Sequence, residues 1–314
     1  MLEVDGLTKY FSSGMIQKRR VKAVDGVSFR IEKGETLGLV GESGCGKTTI
    51  GRLVLRLIEP TGGRVLFDGI DVFSLKKREL RKIRPRMQMI FQDPDSSLNP
   101  RMKIRTGIAE PLKLHGAIPK DEQEQKISEL IETVGLSPEH INRYPYQLSG
   151  GQNQRVVLAR ILAMNPDLII ADEPTSSLDV SVQAQILNLM KDLQKKFDHT
   201  CLFISHDLDV VRIMADQIAV MYLGKLVEIG DASDIFNSAR HPYTQALLSA
   251  ATRLEPWAIE RKRILLKGET PSPIDVPRGC RFHTRCPRKM ERCVTEEPEL
   301  VEAGKGHCVA CHLA

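Results

Sequence analysis

The sequence predicts an α/β fold, and three observations carry that expectation. The first is Gly41-Glu42-Ser43-Gly44-Cys45-Gly46-Lys47-Thr48, which fits the G-x-x-x-x-G-K-[ST] phosphate-loop pattern. It lies between a short apolar run, Thr36-Leu37-Gly38-Leu39-Val40, and a helix-like stretch that begins at Thr49. The second is a recurrence. Met87–Phe91 ends at Gln92, Leu168–Ala171 ends at Asp172-Glu173, and Cys201–Ser205 ends at His206. Each is an apolar strand that delivers a polar side chain at its carboxyl end, where α/β sheets bind ligands. The third is the change of character over residues 93–165, which read as an inserted, mostly helical subdomain.

Each element has a local reason. Leu2 and Val4, then Val27, Phe29 and Ile31, alternate with polar residues, as in half-buried strands of an antiparallel sheet. Tyr10 and Phe11 sit between them, ahead of the basic run Lys18-Arg19-Arg20. They are core aromatics at a strand end, or one of them stacks on a nucleotide base. In the loop, glycines let backbone N–H groups turn inward to cradle phosphate oxygens, and the following helix N-terminus favours negative charge. Lys47 is placed to reach the β- and γ-phosphates and Thr48 to hold Mg²⁺. Arg64–Gly69 reads as an edge strand and turn. Ile127, Leu130, Ile131 and Val134 share one helix face, with Gly135 as its stop. Leu148-Ser149-Gly150-Gly151-Gln152 is a second glycine-rich turn feeding a helix N-terminus, and so either a second anion site or an ordinary helix cap. Asp172 suits support of Mg²⁺ and Glu173 polarisation of a water. Asp179 caps a helix with apolar positions Val182, Ile186, Leu189, Leu193 and Phe197. Strands 218–221 and 226–229 flank Gly224, and from about residue 236 the chain reads as a separate extension.

Composition narrows the function classes. The 314 residues, 41% hydrophobic and 27% charged, allow one large domain and a smaller one. A formal net charge of +5 suggests no nucleic-acid partner. The N-terminal residues lack a signal-peptide pattern, and no apolar run approaches the ~18 residues of a membrane span. Any membrane association is therefore expected to run through a partner. Five of the seven cysteines follow residue 279, which in a reducing compartment argues for metal rather than disulfides.

Taken in order, these segments resemble the ATP-binding subunits of ABC transporters. Six motifs of that family occur in register: the Walker A loop 41–48, the Q-loop at Gln92, the signature Leu148–Gln152, Walker B ending at Asp172-Glu173, the D-loop Ser177-Leu178-Asp179, and the switch histidine His206. The resemblance spans residues 1–235. Phe91-Gln92-Asp93-Pro94-Asp95-Ser96-Ser97-Leu98-Asn99-Pro100, His241-Pro242-Tyr243-Thr244-Gln245-Ala246-Leu247-Leu248 and the cysteine tail are similar to the oligopeptide/dipeptide importer branch, with residues 236–314 as its C-terminal extension. Some relatives there take nickel or other small solutes.

The resemblance implies a RecA-like phosphate-loop core with an antiparallel β-subdomain and an inserted helical subdomain, plus a small cysteine-rich C-terminal extension. It implies two ATP molecules, with Mg²⁺, held between paired ATPase subunits, homo- or heterodimeric. One chain would supply Gly41, Ser43, Gly44, Cys45, Gly46, Lys47, Thr48 and Thr49, with Phe11 against the base in preference to Tyr10; the other would supply Ser149, Gly150, Gly151, Gln152 and Asp179. The Cys45 side chain plays no part in the chemistry. Thr48, Gln92 and Asp172 would hold Mg²⁺, Glu173 would activate water, Gln92 would sense the γ-phosphate, and His206 would hold it. Two membrane permeases and an extracytoplasmic solute-binding protein would be the partners, and the cytoplasmic face of the membrane the location. A non-transport ABC ATPase is the rival reading; residues 49–147 lack the coiled coil of the repair type, and each motif occurs once, unlike the ribosomal type. A plain phosphate-loop kinase or GTPase leaves Leu148–Gln152 unexplained.

In the tail, Cys280, Cys286, Cys293 and Cys311 are spaced C-x5-C-x6-C-x17-C. Four thiolates suit an iron–sulfur cluster or structural Zn²⁺, and zinc sites favour closer pairs. The resemblance favours a [4Fe-4S] cluster, with Cys308 outside the ligand pattern.

Overall fold

The computed structural model describes residues 1–13, 19–115, 119, 121–250, 264–304 and 306–314; Lys18 of the basic run lies outside them. The chain forms two compact units, one of Met1–Ser74 with Phe203–Ala314 and one of Leu75–Leu202.

The first unit begins with β1 (Leu2–Ser13) and β2 (Arg19–Ile31), antiparallel with Leu2 opposite Ile31 and Val4 opposite Phe29. The alternating residues read from sequence face inward: Leu2, Val4, Val27 and Ile31 are buried. Strand β3 (Thr36–Val40) is buried along its length, as a central parallel strand requires. Helix α1 (Lys47–Val54) follows the phosphate loop. β4 (Gly62–Phe67) and β5 (Ile70–Asp71) complete a small sheet of order β2-β1-β4-β5. Residues 64–69 are thus not an edge strand. β1 covers one side of β4, and the turn at Asp68-Gly69 folds β5 back onto the other.

In the second unit, α2 (Lys77–Ile83) leads to β6 (Met87–Ile90), followed by α3 (Pro94–Ser97), α4 (Ile104–His115), α5 (Gln123–Thr133) and α6 (Gly150–Leu162). Ile127, Leu130, Ile131 and Val134 are all buried, and Gly135 turns the chain at φ 69° while Arg155 donates to the Val134 carbonyl at 2.6 Å. That guanidinium sits where the helix C-terminus carries partial negative charge. β7 (Leu168–Asp172) runs parallel to β6, with Met87 opposite Leu168 and Ile90 opposite Ala171. α7 (Val180–Phe197) differs from its expected face. Its buried stripe is Ile186, Leu187, Met190 and Leu193, while Val182, Leu189 and Phe197 are half-buried. Leu187 and Met190 fall between the residues of the expected row, so the packed face is rotated from it.

β8 (Thr200–Ser205) carries the chain back to the first unit. There α8 (Leu208–Met214), β9 (Gln217–Tyr222) and β10 (Lys225–Asp231) follow, then α9 (Ala232–Ser238), α10 (Pro242–Ala250), α11 (Arg292–Thr295), β11 (Val301–Gly304) and β12 (His307–Val309). The strand order is β11-β12-β10-β9-β3, with β3 and β9 parallel and the β9–β10 and β10–β12 pairs antiparallel. The tail, read from sequence as a separate extension, therefore adds two strands to the sheet that carries the phosphate loop. Its anchor is Glu228. This carboxylate, fully buried, accepts backbone N–H groups from Arg240 (2.6 Å) and His241 (3.1 Å) and meets His307 Nε2 at 2.8 Å.

Candidate functional site

The phosphate loop is braced by close backbone approach. A Cβ on Gly46 (φ 112°) would stand 2.1 Å from the Ala23 carbonyl oxygen, and one on Gly41 2.2 Å from that of Met221. Only glycine fits both positions. Gly224 N–H donates to the Cys45 carbonyl at 2.9 Å, tying the loop to the β9–β10 turn. Cys45 itself is buried, and burial pushes its thiol pKa up. Lys47, also buried, donates from Nζ to the Gly41 and Glu42 carbonyls at 2.7 and 3.1 Å. Thr48 and Thr49 occupy the first turn of α1, half-buried. This turn and its lysine form a cationic, N–H-rich cradle for an anion.

Three partners hold Glu42, which the motif leaves as a free position. Its N–H donates to the Tyr243 hydroxyl at 2.9 Å, Arg285 Nη1 lies 3.0 and 2.9 Å from its two carboxylate oxygens, and the Thr270 hydroxyl donates at 2.5 Å. Sequence reading missed these residues. The tripeptide His241-Pro242-Tyr243 was the available signal, and its tyrosine proves to be a support of the phosphate loop. The buried His241 accepts the Tyr243 N–H at Nδ1 (3.1 Å), and burial lowers its pKa to about 4. Tyr222, Tyr243 and Phe282 pack with ring centroids 4.7–5.4 Å apart.

The two N-terminal aromatics separate cleanly. The Tyr10 hydroxyl donates to Asp25, which also pairs with Arg281; the hydrogen bond to Asp25 pushes the phenol up to about 12. Phe11 is 41% exposed, with Lys9 Nζ 5.0 Å from its ring centroid. The ring open to a flat ligand is that of Phe11. His206, exposed, follows β8, and Asp207 next to it caps α8 by accepting the N–H groups of Asp209 and Val210.

In the second unit, Gln92 Nε2 donates to Glu173 Oε2 at 3.1 Å, so the side chains delivered by β6 and β7 meet. Asp172 is buried at the end of β7, and Glu173 follows at φ 49°, a left-handed backbone that costs a non-glycine residue strain. Ser149 and Gln152 make a reciprocal capping box on α6. Gln152 N–H donates to Ser149 Oγ (3.3 Å), and Ser149 N–H to Gln152 Oε1 (3.0 Å). Ser149 and Gly150 are exposed, and a Cβ on Gly151 would stand 2.4 Å from Val182 Cγ1. The turn thus leaves a helix N-terminus open while α6 packs closely on α7. Asp179 caps α7, accepting from Val182 N–H at 3.0 Å and Ser181 Oγ at 2.8 Å; the Val182 contact leads in holding its carboxyl pKa down.

In the tail, burial and then the charges of Cys293, Cys311 and Cys286 push the Cys280 thiol up to about 11, against a backbone N–H bond from Phe282. Burial likewise pushes the thiols of Cys286 and Cys311 up. Burial, and then the Glu302 carboxylate, push the Cys308 thiol up. The four do not converge on one point: among the described residues no three His, Cys, Asp or Glu side chains can hold a metal ion. A preformed single-ion site, as the zinc reading requires, is not present there. No helix among the described residues is long and apolar enough to cross a membrane.

A phosphate loop at the carboxyl end of a central strand, acids at the end of a parallel strand and a second open helix N-terminus define a phosphate-loop nucleotide-binding protein. Residues 24–176 match the ABC transporter family, and residues 227–293 match the oligopeptide/dipeptide transporter C-terminal region. Oligopeptide transport ATP-binding protein AppF of Bacillus subtilis is 52% identical over 100% of this chain and 97% of its own length. Putative peptide import ATP-binding protein BOV_A0347 of Brucella ovis is 50% identical over 99% and 97%. Among solved structures, the dimeric structure of MJ0796, a bacterial ABC transporter cassette, aligns with TM-score 0.67 and 31% identity over 74% of this chain and 99% of that one. The chain belongs to the ABC transporter ATP-binding proteins, in the oligopeptide/dipeptide branch.

Proposed function

We propose that this chain is the ATP-hydrolysing subunit that powers peptide import through a membrane ABC transporter. The single observation that carries the reading is the full-length match to peptide-transport ATP-binding proteins of a chain whose phosphate loop, strand-end acids and capped signature turn are intact. Lys47 would neutralise the β- and γ-phosphates, and Thr48, Gln92 and Asp172 would hold Mg²⁺, which supplies electrostatic stabilisation of the transferring phosphoryl group. Glu173, held by Gln92, would orient and activate the attacking water, and His206 would contact the γ-phosphate. Phe11 would stack on the base. A second ATPase subunit, of the same or a related chain, would bring its Ser149, Gly150, Gly151, Gln152 and Asp179 to the same nucleotide. The dimer in the bacterial cassette structure supports this pairing.

In this reading residues 1–235 are the ATPase domain, with 93–165 its helical part, and 236–314 are the branch-specific extension. Two permeases would hold the chain at the cytoplasmic face of the membrane, with cargo delivered by an external binding protein. The tail would hold a [4Fe-4S] cluster on Cys280, Cys286, Cys293 and Cys311. What supports it is the C-x5-C-x6-C-x17-C pattern itself and its similarity to the branch's tail. Among the described residues no group of three metal-ligating side chains is preassembled for it. Reconstitution with its permeases in proteoliposomes tests the function. ATP-dependent peptide uptake supports it; ATP hydrolysis that no peptide and no permease alters overturns it. Anaerobic purification with iron and sulfide analysis tests the cluster, and stoichiometric zinc without iron rejects it.

A further inference from the structure

Two tail guanidinium groups reach toward the expected nucleotide site, one at the phosphate-loop residue Glu42 and one at Asp25, which holds the Tyr10 hydroxyl. Arg285 faces Glu42, whose backbone carbonyl and whose neighbour's, Gly41, receive the Lys47 ammonium. The Arg285 side chain is 10% exposed and that of Glu42 25%, so the pair is shielded from the screening that weakens surface ion pairs. Tyr222 adds a contact from its hydroxyl at 3.4 Å. Arg281, 6% exposed, donates to Asp25 and to the Leu223 carbonyl, and Asp25 accepts the Tyr10 hydroxyl next to Phe11.

A carboxylate in a loop that must receive a triphosphate is unfavourable unless it is neutralised, because like charges at close range repel. Glu42 is such a carboxylate, and the loop's own lysine spends its hydrogen bonds on carbonyl groups. We propose that Arg285 is a positioning residue of the nucleotide site, with Arg281 as its counterpart on the base side. Arg285 neutralises Glu42 and sets the loop that Lys47 grips; Arg281 sets the strand that presents Phe11. The C-terminal tail is then part of the ATP site, and its order and nucleotide affinity are linked in both directions. The inference rests on the ATP-site reading and is independent of any cluster.

The test is equilibrium binding of a fluorescent ATP analogue to the full chain. Arg285→Ala is expected to weaken binding by about tenfold, within the range usual for coupled sites. Arg285→Lys retains most of the affinity, since a single nitrogen straddles both carboxylate oxygens. The double variant Arg285→Ala/Glu42→Gln recovers much of the loss, because it removes the unpaired charge. Arg281→Ala weakens binding less than Arg285→Ala. Arg288→Ala, which removes an exposed bond to Gln245 and no contact to the loop, binds as wild type does. A merely structural staple predicts the opposite for the double variant, which would bind no better than Arg285→Ala. Hydrogen exchange over residues 278–288 supplies a second arm in the unaltered protein. A non-hydrolysable ATP analogue is expected to slow it several-fold by the same reciprocity. Wild-type binding by Arg285→Ala, no recovery in the double variant, or nucleotide-independent exchange overturns the proposal. If Arg285→Ala fails to fold, the exchange result decides. Loss of binding in Lys47→Ala separates this question from the ATP-site reading itself.

Discussion

The replacement of His241 by asparagine makes a quantitative test of how the tail is built. His241 is 1% exposed, and its neutral ring accepts the Tyr243 N–H at Nδ1. Burial lowers its pKa from 6.5 to about 4. A base with a depressed folded pKa leaves the unfolded chain binding more protons between the two values. Stability is therefore whole above pH 6.5 and falls as pH drops toward 4. The loss works out at about 2 kcal/mol at pH 5 and about 3 kcal/mol once both states are protonated. Asparagine offers an oxygen in place of Nδ1 and does not titrate. Glu228 and His307, which share the network, are unchanged in the variant. Urea unfolding of both proteins at pH 7.5 and pH 5.0, followed by far-UV circular dichroism, gives the difference. The wild type is expected to lose about 2 kcal/mol more than His241→Asn over that interval. Equal losses would refute the assignment of a buried neutral imidazole. The site lies close to the phosphate loop, because Tyr243, whose N–H His241 accepts, carries the hydroxyl that accepts the Glu42 N–H.

Glu173→Gln is expected to keep ATP binding while cutting turnover by about a hundredfold or more, in line with loss of a general base; steady-state ATPase assays with permeases present check it, and near-wild-type turnover removes Glu173 from that role. Gly46→Ala places a methyl 2.1 Å from a strand carbonyl at φ 112°, so it should cost more than about 3 kcal/mol and abolish nucleotide binding, read by thermal melting and filter binding. A cavity of about 430 Å³ is lined by Ser96 to Pro100 with Pro145, Val156 and Arg160, and a permease segment is expected to dock there; single cysteines at residues 96–102 should crosslink to the permease, and crosslinks confined to positions beyond 236 would remove that docking site.

Much of the nucleotide site is legible in the chain because its chemistry is local. A phosphate cradle needs glycines and a lysine within eight consecutive residues, the Ser149–Gln152 cap closes across three residues, and Asp179 caps its own helix. The buried face of α5 is equally readable, since a helix returns each fourth residue to one side. Other features depend on partners that no local pattern names. The interior place of β4 is set by β1 pairing across its free side, and the packed stripe of α7 by contacts its own periodicity did not foretell.

The sequence by itself determined the family's motifs and the residue types that can bind phosphate and Mg²⁺. The tertiary structure alone decided which of two neighbouring aromatics is open, since Tyr10 turns to Asp25 and Phe11 does not. It also decided that the tail is joined to the phosphate loop. Glu42 meets Tyr243 across 201 residues and Arg285 across 243, and Asp25 meets Arg281 across 256. Such contacts arise only when the tail folds back over the loop, because a half-buried carboxylate finds its cation in space, and sequence distance places no limit on that search.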